Sequence, residues 1–193
     1  MPATLRVAAV CALALVAACK GPSVPHPMTS QTRYLCCNMH YEKDEISDAN
    51  YLKGTLIPFG TRVQILEVGR HSVKFQPDGH PALTLVHKYG KDSESFDQYL
   101  EHVFLPNDPR ASLPKAPKNA KPAQAKDVER VRKQIEEGVV EPGMTKQQVI
   151  MALGYPPLHR TPSLDAPMWT YWANRWATFE VYFDGDKVSR VNR

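Results

Sequence analysis

The clearest local signals in this 193-residue chain lie in residues 141–156, EPGMTKQQVIMALGYP. Thr145 is placed to cap a helix, and Gln148, three residues later, completes a capping box. Gly154 suits the left-handed residue that ends a helix, and Pro156 prevents the helix from continuing. The segment therefore predicts a short helix whose two ends are both set by local sequence.

The flanking sequence extends this helix into a compact unit over residues 127–193. An apolar stripe predicts a helix upstream, over 127–137. Alternating apolar residues predict three strands downstream, over 168–173, 177–183 and 187–191. Asp184-Gly185, between the last two strands, is typical of a tight hairpin. The fold class predicted for this unit is α+β.

A second unit, β-rich and small, is predicted over residues 33–105. Its strands are expected over 33–39, 61–67, 72–75 and 82–87, and helical spacing of apolar residues predicts a helix over 95–104. Residues 54–65, GTLIPFGTRVQI, are loosely similar to bacterial SH3-like domains, in which an apolar-Pro-x-Gly-Thr turn precedes a strand. An SH3-like fold is therefore one option for this unit.

Proline marks the segments outside the two units. The chain has 17 prolines, and eight of them lie in residues 20–32 and 106–126. We predict a tether over 19–32 and a linker over 106–126, which carries five basic residues and one acidic residue. The linker is either simply solvated or makes a weak electrostatic contact with anionic lipid headgroups or the cell wall.

The N-terminus has the features of a lipoprotein signal peptide. Residues 7–18 form an apolar run behind Arg6, and as a helix this run spans about 18 Å, short of the ~30 Å bilayer core. Leu15-Val16-Ala17-Ala18-Cys19 resembles the bacterial lipobox. We therefore expect residues 1–18 to be removed and Cys19 to be lipidated. Lys20 rather than aspartate follows the cysteine, and by resemblance to the sorting rule of enterobacterial lipoproteins this favours the outer membrane. The alternative is an ordinary signal peptide with an incidental cysteine.

Cys36 and Cys37 remain once Cys11 is removed and Cys19 is lipidated. Three states are open for this adjacent pair. The thiols can point to opposite faces of a strand with one of them buried, they can join in a vicinal disulfide, or one can bridge to another chain. A vicinal disulfide closes an eight-membered ring, which departs from ordinary disulfide geometry.

The unit at residues 127–193 resembles the SmpA/OmlA family, the BamE-like domain of outer-membrane lipoproteins. The residues that carry the resemblance are Pro142-Gly143-Met144-Thr145, Gln148-Val149, Leu153-Gly154, Pro156, Trp169, Tyr171, Phe179, Val181, Phe183, Gly185 and Val188. The resemblance implies two helices packed on a three-stranded antiparallel sheet. It also implies a non-catalytic role in β-barrel assembly or envelope integrity, through contacts with proteins and anionic lipid. The β-rich unit ahead of this domain is a departure from the usual member.

A helix layer on one face of the sheet would divide the strand residues into a buried set and an exposed set. The residues expected to face the helices are Trp169, Tyr171, Ala177, Phe179, Val181 and Phe183. The residues expected to bind a partner are Trp172, Arg175, Trp176 and Tyr182, since exposed aromatic and arginine side chains are common interface anchors. Alternatively, the linker or the first unit covers these rings.

Composition and motifs argue against several function classes. A net charge of +4 is too small to indicate nucleic-acid binding. The seven histidines show no metal-ligand spacing, and no phosphate-binding loop, GxSxG or HExxH motif occurs. We therefore expect no catalytic residue, no metal and no cofactor.

The expected function is that of a non-catalytic periplasmic lipoprotein, anchored in the outer membrane, which contacts an envelope protein such as the barrel-assembly machinery. The alternatives are a cell-wall-binding lipoprotein that uses the SH3-like unit, and an inhibitor-like binding module.

Overall fold

The computed structural model describes residues 24–193, which adopt a mixed α+β structure as predicted. The described helices are α1 (Phe96–Val103), α2 (Pro122–Glu137) and α3 (Lys146–Leu153), with a 3-10 turn at Pro109–Ser112. The strands are β1 (Thr32–Leu35), β2 (Met39–Tyr41), β3 (Glu45–Ser47), β4 (Thr55–Ile57), β5 (Arg62–Val68), β6 (Ser72–Pro77), β7 (Leu83–Val86), β8 (Phe104–Leu105), β9 (Met168–Trp172), β10 (Thr178–Asp184) and β11 (Lys187–Asn192). The predicted signal peptide and Cys19 lie outside the described residues.

The largest sheet has six strands in the order β3-β7-β6-β5-β1-β8. Its pairs are antiparallel except β3 with β7, which run parallel. The strands predicted at 61–67, 72–75 and 82–87 are present as β5, β6 and β7. Strands β3, β4 and β8 have two or three residues each, too few to show the alternation that identifies a strand.

The strand predicted over 33–39 is broken in the middle. β1 ends at Leu35 and β2 begins at Met39. Between them, the Cys36 N–H donates to the Val103 carbonyl at 2.9 Å and the Asn38 N–H donates to the Met151 carbonyl at 3.0 Å. The backbone here bonds to distant segments rather than to a neighbouring strand, and alternation cannot reveal such partners.

The first core lies between the six-stranded sheet and α1. Its buried residues are Met28, Leu35, Met39, Ile46, Ile57, Val63, Ile65, Val73, Phe75, Leu83, Leu85, Leu100, Val103 and Phe104. Met28 is only 2% exposed, and the neighbouring Ser30 N–H donates to the Ile65 carbonyl at 2.9 Å. Part of the segment predicted as a tether, 19–32, therefore packs on the first core. The sequence could not indicate this packing, because a single methionine among prolines shows no periodicity of apolar residues.

Helix α2 begins at Pro122, ahead of the predicted start at residue 127. Proline is favourable in the first turn of a helix because the N–H it lacks would have no intrahelical partner there. The N–H of Lys121, the residue before the helix, donates to the side chain of Gln124 at 3.0 Å. Leu113 is 8% exposed and packs in the second core. The segment 106–126, predicted as an extended spacer, is thus partly helical and partly packed.

Helix α3 confirms the sequence prediction. The Gln148 N–H donates to Thr145 Oγ1 at 3.3 Å, and the Thr145 N–H donates to Gln148 Oε1 at 2.9 Å. Gly154 follows the helix with φ of 86° but ψ of 180°, so it has a positive φ without the left-handed helical conformation expected from the sequence. The hairpin is also confirmed, since Asp184 pairs with Lys187 and Gly185 has φ of 59°.

The three-stranded sheet is antiparallel with the order β11-β10-β9. Five of the residues expected to face the helices are buried, namely Trp169, Tyr171, Phe179, Val181 and Phe183. Ala177 is exposed, so its predicted position was wrong. It lies in the loop before β10 and does not follow the alternation of that strand.

The second core fills the space between this sheet and helices α2 and α3. Its buried residues are Phe59, Leu113, Ile135, Val140, Met144, Val149, Met151, Ala152, Leu153, Trp169, Tyr171, Phe179, Val181, Phe183 and Val188. Phe59, and Leu52 which packs against this core, come from residues 33–105. The second core therefore includes side chains from the β-rich part of the chain.

Candidate functional site

The loop between β9 and β10 is held in one conformation by its own hydrogen bonds. Asn174 Oδ1 accepts from the Trp176 N–H at 2.8 Å and from the Ala177 N–H at 3.1 Å. The Ala173 N–H donates to the Ala177 carbonyl at 2.9 Å. An asparagine that bonds to the backbone two residues ahead is a common turn device. The loop therefore presents its side chains from a fixed backbone.

Trp176 projects from this loop with 92% of its surface exposed. Among the described residues it is the one aromatic side chain that is exposed rather than half-buried or buried. Arg175, beside it, is also exposed. An aromatic ring next to a guanidinium suits contact with a protein surface that offers an apolar pocket and an anion.

A cleft of about 650 Å³ adjoins the loop, and Arg175 lines it. The remaining lining comes from residues 40–47, Tyr51 and Lys53. Its charged members are the carboxylates Glu42, Asp44 and Glu45 and the cations Lys43, Lys53 and Arg175. Small-molecule sites of this size are usually lined by apolar groups, so the polar lining here is more typical of a wet surface groove.

His40, in the wall of this cleft, has a pKa lowered by burial. The ring is therefore neutral at pH 7, because its ordinary pKa is already about 6.5. Its Nδ1 atom is buried without a hydrogen-bond partner in the described structure.

Trp172, the last residue of β9, is half-buried and contacts the β-rich part of the chain. Its carbonyl accepts from the Leu52 N–H at 3.1 Å. Its ring meets Tyr51 edge to face, with centroids 6.1 Å apart, and stacks on His159 at 6.4 Å. Residues of the β-rich part of the chain therefore cover one side of this ring, so Trp172 is half-buried where Trp176 is exposed.

Tyr182 lies on the outer face of the sheet, half-buried. It is four residues along β10 from Thr178, which is about 13 Å in a strand. Its hydroxyl donates to Glu180 at 2.7 Å, and the Arg190 guanidinium lies 3.9 Å from its ring centre. The bond to Glu180 raises the pKa of Tyr182 and lowers the pKa of Glu180. Of the four predicted partner-binding residues, only Arg175 and Trp176 share the loop.

The sequence did not indicate the role of Asn38, a buried polar residue with several hydrogen bonds. Its side chain is fully buried, and its Nδ2 atom donates to the Ile135 carbonyl at 2.6 Å and to the Ala152 carbonyl at 3.1 Å. Its Oδ1 atom accepts from the Phe59 N–H at 2.7 Å. Asn38 thus ties the loop after β1 to the ends of α2 and α3.

Asn50 makes a second connection of the same kind. Its Nδ2 atom donates to the Leu153 carbonyl at 2.9 Å and to the Asn38 carbonyl at 3.1 Å. A Cβ atom at Gly154 would lie 2.9 Å from that Nδ2 atom, so only glycine leaves room for this amide. We call these contacts of Asn38 and Asn50 with the ends of α2 and α3 the joint.

The Sγ atoms of Cys36 and Cys37 are joined in a disulfide, directly ahead of Asn38. Both cysteines are buried, with 6% and 4% of their surfaces exposed. Of the three states left open by the sequence, the structure has the vicinal disulfide.

A buried histidine and carboxylate form another polar cluster that the sequence did not indicate. His87 Nδ1 lies 3.1 Å from Asp48 Oδ2, and the ring stacks on Tyr99 with centroids 4.4 Å apart. Asp48 also accepts from the N–H groups of Tyr89 and Gly90. Burial, together with the charges of Asp48 and Glu94, raises the pKa of Tyr99 well above its ordinary value.

A cavity of about 80 Å³ adjoins His87, and its lining contains no serine, threonine or cysteine. The histidine–aspartate pair therefore has no serine, threonine or cysteine side chain in that cavity to activate. In the structure, Asp48 holds the turn after β7 against the end of β3 through its bonds to the Tyr89 and Gly90 N–H groups.

Metal-binding clusters and membrane-spanning helices are both absent from residues 24–193. No group of three or more His, Cys, Asp or Glu side chains within this range is arranged to hold a metal ion. No helix within it has both the length and the apolar character needed to cross a bilayer.

Comparison of the chain with protein-family models, with curated proteins and with solved structures finds no match. The likeness to the SmpA/OmlA family and the SH3-like similarity therefore stay predictions from the sequence.

Proposed function

We propose that this protein is a non-catalytic lipoprotein of the outer membrane that faces the periplasm and acts in envelope or β-barrel assembly by binding a partner protein. The observation that carries this proposal is Trp176, which is 92% exposed on a loop fixed by Asn174. Monomeric proteins bury most of the large aromatic surface they have, so an exposed indole on a loop with a fixed backbone favours an interface.

The loop has the energetic properties of a binding anchor. Covering an exposed tryptophan contributes on the order of 2–4 kcal/mol to binding when it fills a pocket. The Asn174 bonds hold the backbone before any partner arrives, so less conformational entropy is lost on binding. Arg175 adds a cation for a carboxylate on the partner.

The sequence supports the location and the assembly role. The lipobox ending in Cys19 favours a lipid anchor, and two or three acyl chains hold a protein on a membrane far more firmly than one. The resemblance of residues 127–193 to the SmpA/OmlA family favours a partner in the barrel-assembly machinery.

The test is capture of barrel-assembly subunits from detergent-solubilised outer membranes by the tagged full-length protein. We expect Trp176→Ala to reduce capture at least about tenfold, which corresponds to the loss of 1.4 kcal/mol or more. Leu164→Ala is the matched control, because Leu164 is also an exposed apolar side chain, at 38%, but lies outside the loop. Equal capture by wild type and Trp176→Ala would contradict the proposal.

The same preparation tests the anchor and the alternatives. We expect Cys19→Ala to move the protein from the outer-membrane fraction to the soluble fraction, and a variant that still floats with the membrane argues against lipid anchoring. Retention of the protein on purified peptidoglycan without barrel-assembly subunits favours the cell-wall function. Stoichiometric capture of a secreted enzyme favours the inhibitor function.

A further inference from the structure

The disulfide between Cys36 and Cys37 occupies an unusual place in the molecule. It lies in the three-residue connection between β1 and β2, and both side chains are almost completely buried. A disulfide between adjacent residues closes no loop of the chain, so it does not stabilise the fold in the way that a long-range disulfide does. What it restricts is the local conformation of the two residues it joins.

The disulfide has the first core on one side and the end of α3 on the other. The Cys36 N–H donates to the Val103 carbonyl at the end of α1, at 2.9 Å. On the other side, a Cβ atom at Gly154 would lie 3.7 Å from Cys37 Sγ, so the sulfur faces the end of α3. The disulfide is therefore enclosed between the first core and α3.

The residue that follows the disulfide is Asn38, the centre of the joint. Its backbone N–H donates to the Met151 carbonyl at 3.0 Å, and its side chain binds the Ile135 and Ala152 carbonyls and the Phe59 N–H. These bonds can form together only when residue 38 has one particular position and orientation. A ring that includes the backbone of residues 36 and 37 limits the ways in which the chain can reach it.

We propose that Cys36 and Cys37 are a thiol–disulfide exchange site whose oxidation state sets how firmly the joint holds the two cores together. The co-reactant is a dithiol. Cys36 and Cys37 are only 6% and 4% exposed, so a thiolate of the dithiol reaches them when the connection between β1 and β2 opens locally. That thiolate attacks one protein sulfur to form a mixed disulfide and releases the other cysteine as a thiolate, which takes up a proton. The second thiol of the dithiol then displaces the remaining cysteine, so the dithiol is oxidised to a disulfide and the protein gains two thiols.

Reduction acts on the joint through packing. Two thiols cannot lie as close together as two bonded sulfur atoms, so one of them must move when the bond breaks. The neighbouring space is filled, because Asn38 is fully buried and Asn50 fills the space beside Gly154, and closely packed interiors accommodate such a shift only by displacing their neighbours. Asn38 is the adjacent residue, so its hydrogen bonds are the first to be disturbed.

The first experiment establishes the oxidation state. The purified full-length protein is denatured, alkylated with iodoacetamide and mapped by mass spectrometry, with and without prior treatment with dithiothreitol. We expect no alkylation at Cys36 and Cys37 without dithiothreitol and alkylation at both after it. Alkylation of both residues in the untreated protein would overturn the proposal.

The second experiment measures the joint by amide hydrogen exchange of the folded protein. After reduction we expect the amides of Asn38 and Phe59 to exchange at least about tenfold faster, because their acceptors are the Met151 carbonyl and Asn38 Oδ1. The amide of Val181, in the middle of the three-stranded sheet, is the internal reference. Unchanged exchange at Asn38 and Phe59 overturns the proposal, as does an equal rise at Val181, which would mean general unfolding.

The matched variant is Cys36→Ser/Cys37→Ser. If dithiothreitol acts by reducing this disulfide, the amides of Asn38 and Phe59 exchange fast in the variant. Their exchange rates are then the same with and without the reagent. A further tenfold increase on adding dithiothreitol to the variant would contradict the proposal. The comparison of oxidised and reduced wild type stands by itself if the variant does not fold.

Discussion

Asn38 is a polar residue enclosed on all sides, and its side chain has three partners. The amide donates to the Ile135 and Ala152 carbonyls and accepts from the Phe59 N–H. A buried polar group without a partner costs about 1–3 kcal/mol. Because these three groups come from three different segments, the amide places β4, α2 and α3 relative to one another as well as being satisfied itself.

We predict that Asn38→Ala lowers the free energy of unfolding by about 2–4 kcal/mol, since it removes two donors and one acceptor from a dry environment. The measurement is urea denaturation followed by far-UV circular dichroism. Asn119→Ala is the control, because Asn119 is exposed, and surface changes of this kind usually stay within about 0.5 kcal/mol. A difference between the two variants below 1 kcal/mol would mean that water or another side chain replaces the amide.

Some residues bond to near neighbours in the sequence, and others bond to distant segments of the chain. Thr145 and Gln148 bond to each other three positions apart, so the sequence was enough to predict them. The three partners of the Asn38 side chain lie 21, 97 and 114 positions away, and nothing in the residues around Asn38 indicates them. For the same reason the sequence left open whether Trp172 is exposed or covered, and in the structure Leu52 and Tyr51 contact it from a distant segment.

At the scale of elements, α3 is short, with eight residues, and a helix of this length is marginal without help from its ends and its packing. The capping box supplies that help at its N-terminus. One face is buried in the second core through Val149, Ala152 and Leu153. The helix is therefore fixed both by its own sequence and by the sheet beneath it.

Thr145→Ala is predicted to destabilise the protein by about 1 kcal/mol, because the Gln148 N–H loses its acceptor. Thr145→Ser keeps an oxygen in the same place and is expected to stay within about 0.5 kcal/mol of wild type. Thermal or urea denaturation of both variants gives the comparison. Equal losses for the two variants would assign the effect to the methyl group of Thr145 and not to the cap.

The elements that sequence predicted well are those with local signals at their ends. Helix α1 follows Ser95, which forms a capping box with Gln98, and β10 and β11 are joined by the turn at Gly185. The elements that were missed depend on distant partners. β3 exists because it pairs in parallel with β7, and a three-residue strand has no pattern of its own. Pro122 was interpreted as linker because proline signals both loops and first turns of helices.

At the scale of the whole molecule, two hydrophobic cores are held together by a few specific contacts. The joint contributes the bonds of Asn38 and Asn50, and a short distance away the Leu52 N–H meets the Trp172 carbonyl. Phe59 adds an apolar side chain from the β-rich part to the second core. Losing either core would leave these buried polar groups without partners, so the contacts couple the folding of the two cores.

The position of the tryptophans makes this coupling measurable. All three tryptophans, Trp169, Trp172 and Trp176, lie in or beside β9 and none belongs to the first core. Fluorescence therefore reports on the second core, through the buried Trp169, and on the contact of Trp172 with Tyr51. Leu85 is 1% exposed in the first core, and replacing a buried leucine by alanine costs about 2–5 kcal/mol. Leu85→Ala therefore perturbs one core while the fluorescence reports on the other.

We predict that Leu85→Ala lowers the urea midpoint by about 1–2 M in both tryptophan fluorescence and circular dichroism, because coupled cores unfold together. Leu66→Ala is the control, since Leu66 is 42% exposed, and it should leave both midpoints close to those of wild type. A fluorescence midpoint that stays in place while the dichroism transition shifts or splits would show that the cores unfold separately. The joint would then align two independent units without linking their stabilities, and reduction of Cys36–Cys37 would change their orientation without changing the unfolding of either.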